Sequence, residues 1–169
     1  MYVLILGSAA GGGYPQWNCN CTICAGVRNG TLNAKPRTQS SIAVSTDKKH
    51  WLLINASPDI RTQLNRHSLM QPAGDLRDTG IAAVMLVDSQ IDHTTGLLIL
   101  RESSQPLELY CADSVYEDLT TGFPVLNMLQ HYCGVNRHAL KIDGSSTAVN
   151  GVDNLRVTAV PLSSKAPPY

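Results

Sequence analysis

A short apolar run that ends in a cluster of polar side chains constrains this chain more than any other stretch. The run, residues 81–87, is rich in Val and Ile and predicts a buried β-strand. Asp88, Gln90, Asp92 and His93 follow it, and leucines then resume at helical spacing. A buried strand that delivers Asp and His onto a loop before a helix is a common way to build a site, because the strand fixes the backbone. The alternative is a polar strand-to-helix turn, with Asp92 as helix N-cap and His93 on the surface.

Three clustered cysteines give the second strong signal. Cys19, Cys21 and Cys24 follow the spacing C-x-C-x-x-C, and the C-x-x-C half is typical of zinc knuckles. A disulfide and a redox C-x-x-C are the alternatives, but nothing in the chain is secretory and the third thiol favours a metal. We therefore predict a structural zinc site at residues 18–24 that needs a fourth ligand. The candidates for that ligand have no telling spacing: Cys111, Cys133 and the five histidines.

Composition narrows the possible partners. The chain has 169 residues, enough for one domain with a core, and its 13 basic and 13 acidic residues cancel. Zero formal charge argues against nucleic acid or an anionic membrane as the main partner, because such binding draws on clustered positive charge. No run approaches the roughly 18 apolar residues of a membrane span, and the start of the chain lacks the basic region of a signal peptide. We therefore expect a cytoplasmic protein.

The remaining pattern predicts strands that alternate with helices. A first strand at residues 2–6 precedes a Gly-rich segment, residues 8–13, that matches neither a P-loop nor a dinucleotide fingerprint. A β-hairpin is expected over residues 40–54, and a helix begins with Ser57 as N-cap and Pro58 at its first position. The later elements are a helix to about residue 102, a strand at 107–111, helices at 113–121 and 125–132, and strands at 138–142 and 155–160. Because the alternation of strands and helices predicts further strands after the last one, we expect residues 1–169 to be one domain that is incomplete at its C-terminus.

Three segments together resemble the metallo-β-lactamase superfamily. They are the Gly-rich segment joined to the knuckle (residues 7–24), residues 52–61 and residues 88–96. The likeness covers the whole chain and is strongest to the branch that takes part in pyrroloquinoline quinone (PQQ) biosynthesis. It implies an α/β fold (α+β in some schemes), an αββα sandwich with metals at the strand ends between two sheets. Members of that branch are longer, so residues 1–169 resemble the N-terminal half of one such domain.

The superfamily's metal motif, H-x-H-x-D-H, falls on Asp88, Gln90, Asp92 and His93. The Asp-His pair is kept, but both leading histidines are replaced, which argues against ordinary two-zinc hydrolysis. The resemblance implies that Asp92 and His93 hold an active-site metal, that Asp88 assists in catalysis and that Gln90 lines the pocket. Oxygen-rich surroundings suit iron(II) or another divalent ion better than a zinc pair. The structural zinc would remain on the three cysteines.

The resemblance implies three alternative functions. The first is an enzyme, a metal-dependent hydroxylase that oxidises the tyrosine-derived part of the peptide precursor of PQQ. The second is a carrier involved in transport of PQQ or its precursor, which the altered metal motif favours. The third, from superfamily analogy alone, is a one-metal hydrolase. The expected partners are PQQ or its peptide-derived precursor, other PQQ biosynthesis proteins and a second copy in a homodimer, with no nucleic acid and no membrane.

Overall fold

A six-stranded mixed sheet forms the centre of the computed structural model, which describes residues 1–163 and 166–169. The six strands lie side by side in chain order. The first three are antiparallel neighbours, and from the third strand onward the neighbours are parallel. The strands of this sheet are β1 (Tyr2–Gly7), β2 (Ser41–Ser45), β3 (Trp51–Ile54), β4 (Ile81–Met85), β5 (Leu107–Cys111) and β6 (Val135–Ala139). A separate antiparallel pair contains β7 (Ser146–Ala148) and β8 (Arg156–Thr158).

Short helices fill the connections between the strands. They are α1 (Thr22–Arg28), α2 (Ile60–Arg66), α3 (Ile91–Thr94), α4 (Leu97–Leu100), α5 (Asp113–Asp118) and α6 (Val125–Leu129), with a 3-10 turn at Ser68–Met70. None of the helices in the described ranges is long and apolar enough to cross a membrane. Strands joined by helices confirm the predicted α/β class.

Alternation along the strands divides the interior into two cores. In β3, Trp51 and Leu53 pack with the helices, whereas Leu52 between them points to the opposite face. The helix-side core receives Ile60 from α2 and Leu97 from α4, both fully buried. Burying one such side chain contributes roughly 1.5–3 kcal/mol. The helix-side core therefore anchors the ends of the strands, where the candidate site lies.

The opposite face of the sheet is only partly covered. Val149, Val152 and Leu155, from the segment between β7 and β8, pack there against the sheet. At the β1 edge the side chains of Val3 and Ile5 are 52% and 67% exposed. One helix-covered sheet with a second layer begun by β7 and β8 fits one side of the expected αββα sandwich.

Three predicted strand boundaries are wrong. The strand predicted at residues 81–87 ends at Met85, because the chain then turns so that the N–H of Val87 donates to the side chain of Asn55. The strand predicted at 138–142 lies instead at Val135–Ala139, where exposed polar residues hide the strand pattern. The strand predicted at 155–160 covers only Arg156–Thr158, and its partner β7 was not predicted.

The helices are shorter than their patterns predict. The helix predicted to begin at Pro58 starts at Ile60, because the Ser57 hydroxyl accepts the Asp59 N–H in a tight turn before the helix. The predicted helix to residue 102 is two short helices, α3 and α4, divided at residues 95–96. The helices predicted at 113–121 and 125–132 end at Asp118 and Leu129. The chain therefore turns more often than the apolar spacing alone indicates.

Candidate metal centres

The three predicted knuckle cysteines lie together at the start of α1. Their sulfur atoms all lie within 4.8 Å of one another. Cys21 is the N-cap of the helix, and its sulfur accepts the N–H of Cys24 at 3.4 Å. With Zn–S bonds of about 2.3 Å, tetrahedral geometry would place the sulfurs roughly 3.8 Å apart. A small inward movement would therefore let all three thiolates bind one ion, and the donor set fits zinc.

Local contacts prepare this knuckle for a cation. The Arg28 guanidinium donates to the backbone carbonyls of Gln16 and Cys19, so the last turn of α1 holds the preceding loop in place. The backbone N–H of Cys24, and then a hydrogen bond with Cys19, lower the pKa of Cys21 to about 7. A hydrogen bond with the Gln16 backbone lowers the pKa of Cys24, but burial and the neighbouring thiols outweigh it and raise that pKa overall. Cys21 is therefore more readily ionised near neutral pH than an ordinary thiol.

The structure does not supply a fourth ligand within the part of the chain that it describes. No other Cys, and no His, Asp or Glu, joins the three thiols there. Cys111 is fully buried in the helix-side core, and burial raises its pKa. Cys133 packs against the same core, and burial raises its pKa as well. Both are structural thiols in this fold, so their candidacy as the fourth ligand is not supported.

The second candidate site lies where β4 ends. Asp92 and His93 lie in the first turn of α3 rather than on a loop before it, and Gln90 is the N-cap of that helix in place of Asp92. The Nδ1 atom of His93 lies 2.6 Å from Oδ1 of Asp88, and its Nε2 atom lies 3.9 Å from Oδ2 of Asp92. His93 is therefore held between two carboxylates, one at each ring nitrogen.

This geometry assigns different tasks to the two carboxylates. Metal–ligand bonds of about 2.0–2.2 Å allow two ligand atoms on one ion to be up to roughly 4.2 Å apart. The Nε2 of His93 and Oδ2 of Asp92 meet that limit, so both could contact one ion. Asp88 instead accepts the Nδ1 proton of His93, the arrangement in which a carboxylate fixes the tautomer and leaves Nε2 free to bind. The pair fits a divalent metal, with Asp88 as the group that orients His93.

Gln90 contributes through its backbone. Its carbonyl accepts the N–H of His93 at 2.9 Å and the hydroxyl of Thr94 at 2.9 Å. Its half-buried side chain makes no hydrogen bond to any residue that the structure describes. The resemblance implied that Gln90 lines the pocket. In the structure, its backbone carbonyl stabilises the first turn of α3.

Backbone contacts join residues 55–57 to this site. The N–H of Ala56 donates to the His93 carbonyl at 2.7 Å, and the N–H of Gly96 donates to the Ala56 carbonyl at 2.8 Å. A Cβ atom on Gly96 would lie 2.3 Å from the Ser57 carbonyl oxygen. Only a residue without a side chain permits this approach, so Gly96 fixes the position of His93.

The Gly-rich segment forms another wall of the site. A Cβ atom on Gly11 would lie 3.3 Å from Oδ2 of Asp92. The next residue, Gly12, donates its N–H to the side chain of Gln39 at 3.0 Å. Asp59 in turn accepts both the backbone N–H and the side-chain amide of Gln39. The three segments that carried the family resemblance are thus physically connected around Asp92.

A tyrosine that the sequence did not single out closes the far side of the site. The Tyr169 hydroxyl donates to the Ser89 carbonyl at 2.7 Å, and the Ser89 hydroxyl donates to Asp118. Burial, and then the negative charges of Asp118, Asp88 and Asp92, raise the pKa of Tyr169. No local motif marks this contact, because its partners are 80 residues apart in sequence.

Replacing Gly96 with Ala in the full-length protein is expected to lower its free energy of unfolding by about 2 kcal/mol or more. The new methyl group would meet backbone carbonyls, which cannot move aside as a side chain could. Gly74→Ala is the matched control, because there the methyl group would meet only the end of the exposed Asp78 side chain. Urea unfolding measures both effects; equal stability of the two variants would contradict the close approach at Gly96.

Comparison with known proteins agrees with this architecture. A family model, the β-lactamase superfamily domain, matches residues 50–168. Coenzyme PQQ synthesis protein B of Pseudomonas entomophila (strain L48) is 59% identical over 170 residues, covering 100% of this chain and 55% of the relative. Its counterpart from Methylobacillus flagellatus is 58% identical over 170 residues, covering 100% and 56%. The crystal structure of Zn2+-bound PqqB from Methylobacterium extorquens matches with a TM-score of 0.86 at 42% identity, covering 99% of this chain and 54% of that one. The chain thus spans about half the length of these relatives.

Proposed function

The chain belongs to the β-lactamase superfamily, and from that membership we propose that it is part of a PQQ biosynthesis protein that binds a divalent metal at Asp92 and His93. The relatives named for PQQ synthesis match it along its whole length, which supports the pathway. Within that pathway we propose a metal-dependent hydroxylase that acts on the tyrosine-derived part of the peptide precursor.

The observation that carries this proposal is the placement of His93. Its Nδ1 is hydrogen-bonded to Asp88 at 2.6 Å, so its Nε2 faces Asp92 with a free lone pair. A histidine held in this way binds metal more tightly than one that is free to rotate. The site therefore has an oriented imidazole and a carboxylate at the end of a buried strand.

The chemistry of the ligands favours oxidation over hydrolysis by a zinc pair. Two imidazoles of the superfamily's motif are absent, and the replacement at Asp88 is already hydrogen-bonded to His93. Carboxylate-rich sites suit iron(II) or manganese. A redox-capable metal bound there would supply the one-electron chemistry that hydroxylation of a phenol ring requires. In this proposal Asp92 and His93 hold the metal, Asp88 fixes the imidazole, and the Gly-rich segment leaves room for the substrate ring.

We assign a different role to the knuckle. Cys19, Cys21 and Cys24 would hold a structural zinc, because three thiolates leave no open position for a substrate. The knuckle follows the Gly-rich segment in the chain, and Arg28 of α1 donates to the carbonyls of Gln16 and Cys19, at and just before the knuckle. The zinc would therefore stiffen the wall of the pocket rather than take part in the reaction.

A carrier of PQQ or its precursor is the second candidate, and the altered metal motif favours it. A carrier needs a pocket and no turnover, whereas a hydroxylase needs the metal at Asp92 and His93. The two functions therefore differ in whether removal of this metal abolishes the activity.

The deciding experiment uses the full-length protein, prepared without metal and then loaded with iron(II) or with zinc. Each form is incubated with the cross-linked peptide precursor under oxygen, and the product is analysed by mass spectrometry. Iron-dependent addition of oxygen to the precursor would support the hydroxylase. Tight binding of PQQ by every form, without turnover, would support the carrier, and bond cleavage with zinc would support a hydrolase.

A further inference from the structure

A pocket beside the Gly-rich segment contains a positive charge with no partner in the described chain. The pocket has a volume of about 410 Å³ and is lined by small residues of that segment, by Tyr14 and by Arg37. Arg37 is its only charged lining residue, and the guanidinium makes no ion pair and no hydrogen bond with any described residue. The Arg37 side chain is exposed, so its guanidinium is open to solvent. The charge at Arg37 is thus available to a ligand.

The backbone holds Arg37 in place without help from its side chain. Arg37 and Tyr14 exchange two backbone hydrogen bonds, of 2.7 and 2.9 Å. Gly13 lies against the same backbone segment, since a Cβ atom there would lie 3.5 Å from the Arg37 carbonyl oxygen. The guanidinium is therefore not required for local structure, and its removal tests binding rather than folding.

Two consecutive backbone amides in the same segment also lack acceptors. The N–H groups of Ser8 and Ala9 both donate to the Thr38 carbonyl. Those of Ala10 and Gly11 find no acceptor among residues 1–163 and 166–169. Both residues are exposed; Ala10 lines the pocket with Arg37, and Gly11 is the next residue along the chain. Successive N–H groups and a guanidinium are donors that proteins use to bind carboxylates and phosphates.

The pocket is close enough to the metal residues for one small molecule to reach both. A Cβ atom on Gly11 would lie 3.3 Å from Oδ2 of Asp92, and one on Gly13 would lie 3.5 Å from the Arg37 carbonyl oxygen. Consecutive Cα atoms are about 3.8 Å apart. The wall of the pocket therefore lies within roughly 10 Å of Asp92. A divalent ion at Asp92 and His93 would be offset by the carboxylates of Asp88 and Asp92, so Arg37 supplies a separate positive charge for an anionic ligand.

We propose that Arg37, with the amides of Ala10 and Gly11, binds a carboxylate group of the substrate and so directs its ring toward Asp92 and His93. This assignment rests on the proposed function for the identity of the substrate, whereas the anion chemistry of the pocket stands on the residues themselves. The site would select planar or phenolic compounds that carry a carboxylate over their neutral analogues.

The test measures binding of three probes to the full-length protein: PQQ, which carries carboxylates, its methyl ester, in which they are masked, and citrate, a carboxylate anion without the ring system. Arg37→Gln is compared with Arg66→Gln. The second substitution makes the same change in net charge at an exposed arginine of α2, away from the pocket. Arg37→Lys tests charge without the guanidinium geometry, and thermal melting verifies that each variant is folded.

We expect Arg37→Gln to weaken PQQ binding about tenfold to a hundredfold, the usual effect of losing a charge-assisted hydrogen bond. Arg66→Gln should change binding less than twofold, and the methyl ester should bind weakly to every form. PQQ binding that does not depend on Arg37 would overturn the carboxylate subsite while leaving the proposed function intact. Citrate binding that requires Arg37, without PQQ binding, would support the anion subsite and count against PQQ as its ligand. If neither anion binds in an Arg37-dependent way, the subsite is refuted.

Discussion

Replacing Cys21 with Ser in the full-length protein is expected to release about one equivalent of zinc and to lower the free energy of unfolding by roughly 2–4 kcal/mol. Structural zinc contributes 10 kcal/mol or more in small domains that have no core of their own. Here two apolar cores already hold the sheet, so the knuckle adds a local cross-link and its loss resembles that of a disulfide. Because Cys21 is also the N-cap of α1, its serine variant keeps a capping oxygen, and the loss measured is that of the metal.

Cys133→Ser is the matched control for that experiment. Cys133 is a partly buried thiol away from the knuckle, and its sulfur contacts backbone carbonyls, which a hydroxyl can replace. Zinc content by elemental analysis and urea unfolding should both separate the two variants. Unchanged zinc in Cys21→Ser would refute the knuckle, whatever happens to stability. If zinc is lost and turnover remains, the metal is structural, as proposed.

The sequence predicts the position of a strand best where the strand is a short apolar run bounded by polar turns. β5 lies at the predicted residues 107–111, and β3 at the end of the predicted hairpin, because each is a short apolar run bounded by polar turns. β6 was misplaced because it is an edge strand whose side chains at Asn136 and Arg137 are exposed. None of the five residues of β6 is fully buried, so no alternation of apolar and polar residues marks this strand in the sequence.

The candidate site likewise has features that the sequence predicts and features that it does not. Asp92 and His93 are adjacent in sequence, so their association could be predicted from the chain alone. The contact of Tyr169 with Ser89 could not, since it depends on how the chain returns after 80 residues. Nor could the proposed role of Asp88: in sequence it takes a ligand position of the motif, whereas the 2.6 Å contact with Nδ1 of His93 supports a role in orienting that ring.

The connection from Asp59 through Gln39 to Gly12 shows how a motif can support the candidate site from a distance. The Asp59 carboxylate accepts hydrogen bonds from both the backbone N–H and the side-chain amide of Gln39. Gln39 then holds the Gly-rich segment whose Gly11 faces Asp92. The segment is thereby held at a fixed distance from the candidate metal residues, as a preorganised site requires.

Replacing His93 with Ala should abolish metal binding at the second site. Turnover of the full-length protein should fall by a factor of about 100 or more, because the metal loses one of its ligands. His131→Ala is the control, because His131 is exposed and lies outside the site. Iron and zinc contents measured together should show that His93→Ala keeps the knuckle zinc and loses the other ion. Full activity without His93, or equal activity with zinc as the only metal, would contradict the assignment.

Asp88→Asn separates the orienting role of Asp88 from the role of a ligand. The amide of Asn is nearly the size of the carboxylate, but it cannot stabilise the Nδ1–H tautomer of His93 as a charged acceptor does. We expect metal affinity to fall about tenfold to a hundredfold, the usual cost of losing a partner behind a metal-binding histidine, and less than in His93→Ala. If Asp88 were itself a ligand, the two variants would lose metal equally. A graded loss, with Asp88→Asn between the native protein and His93→Ala, is the result expected if the carboxylate acts through the imidazole, as the 2.6 Å contact indicates.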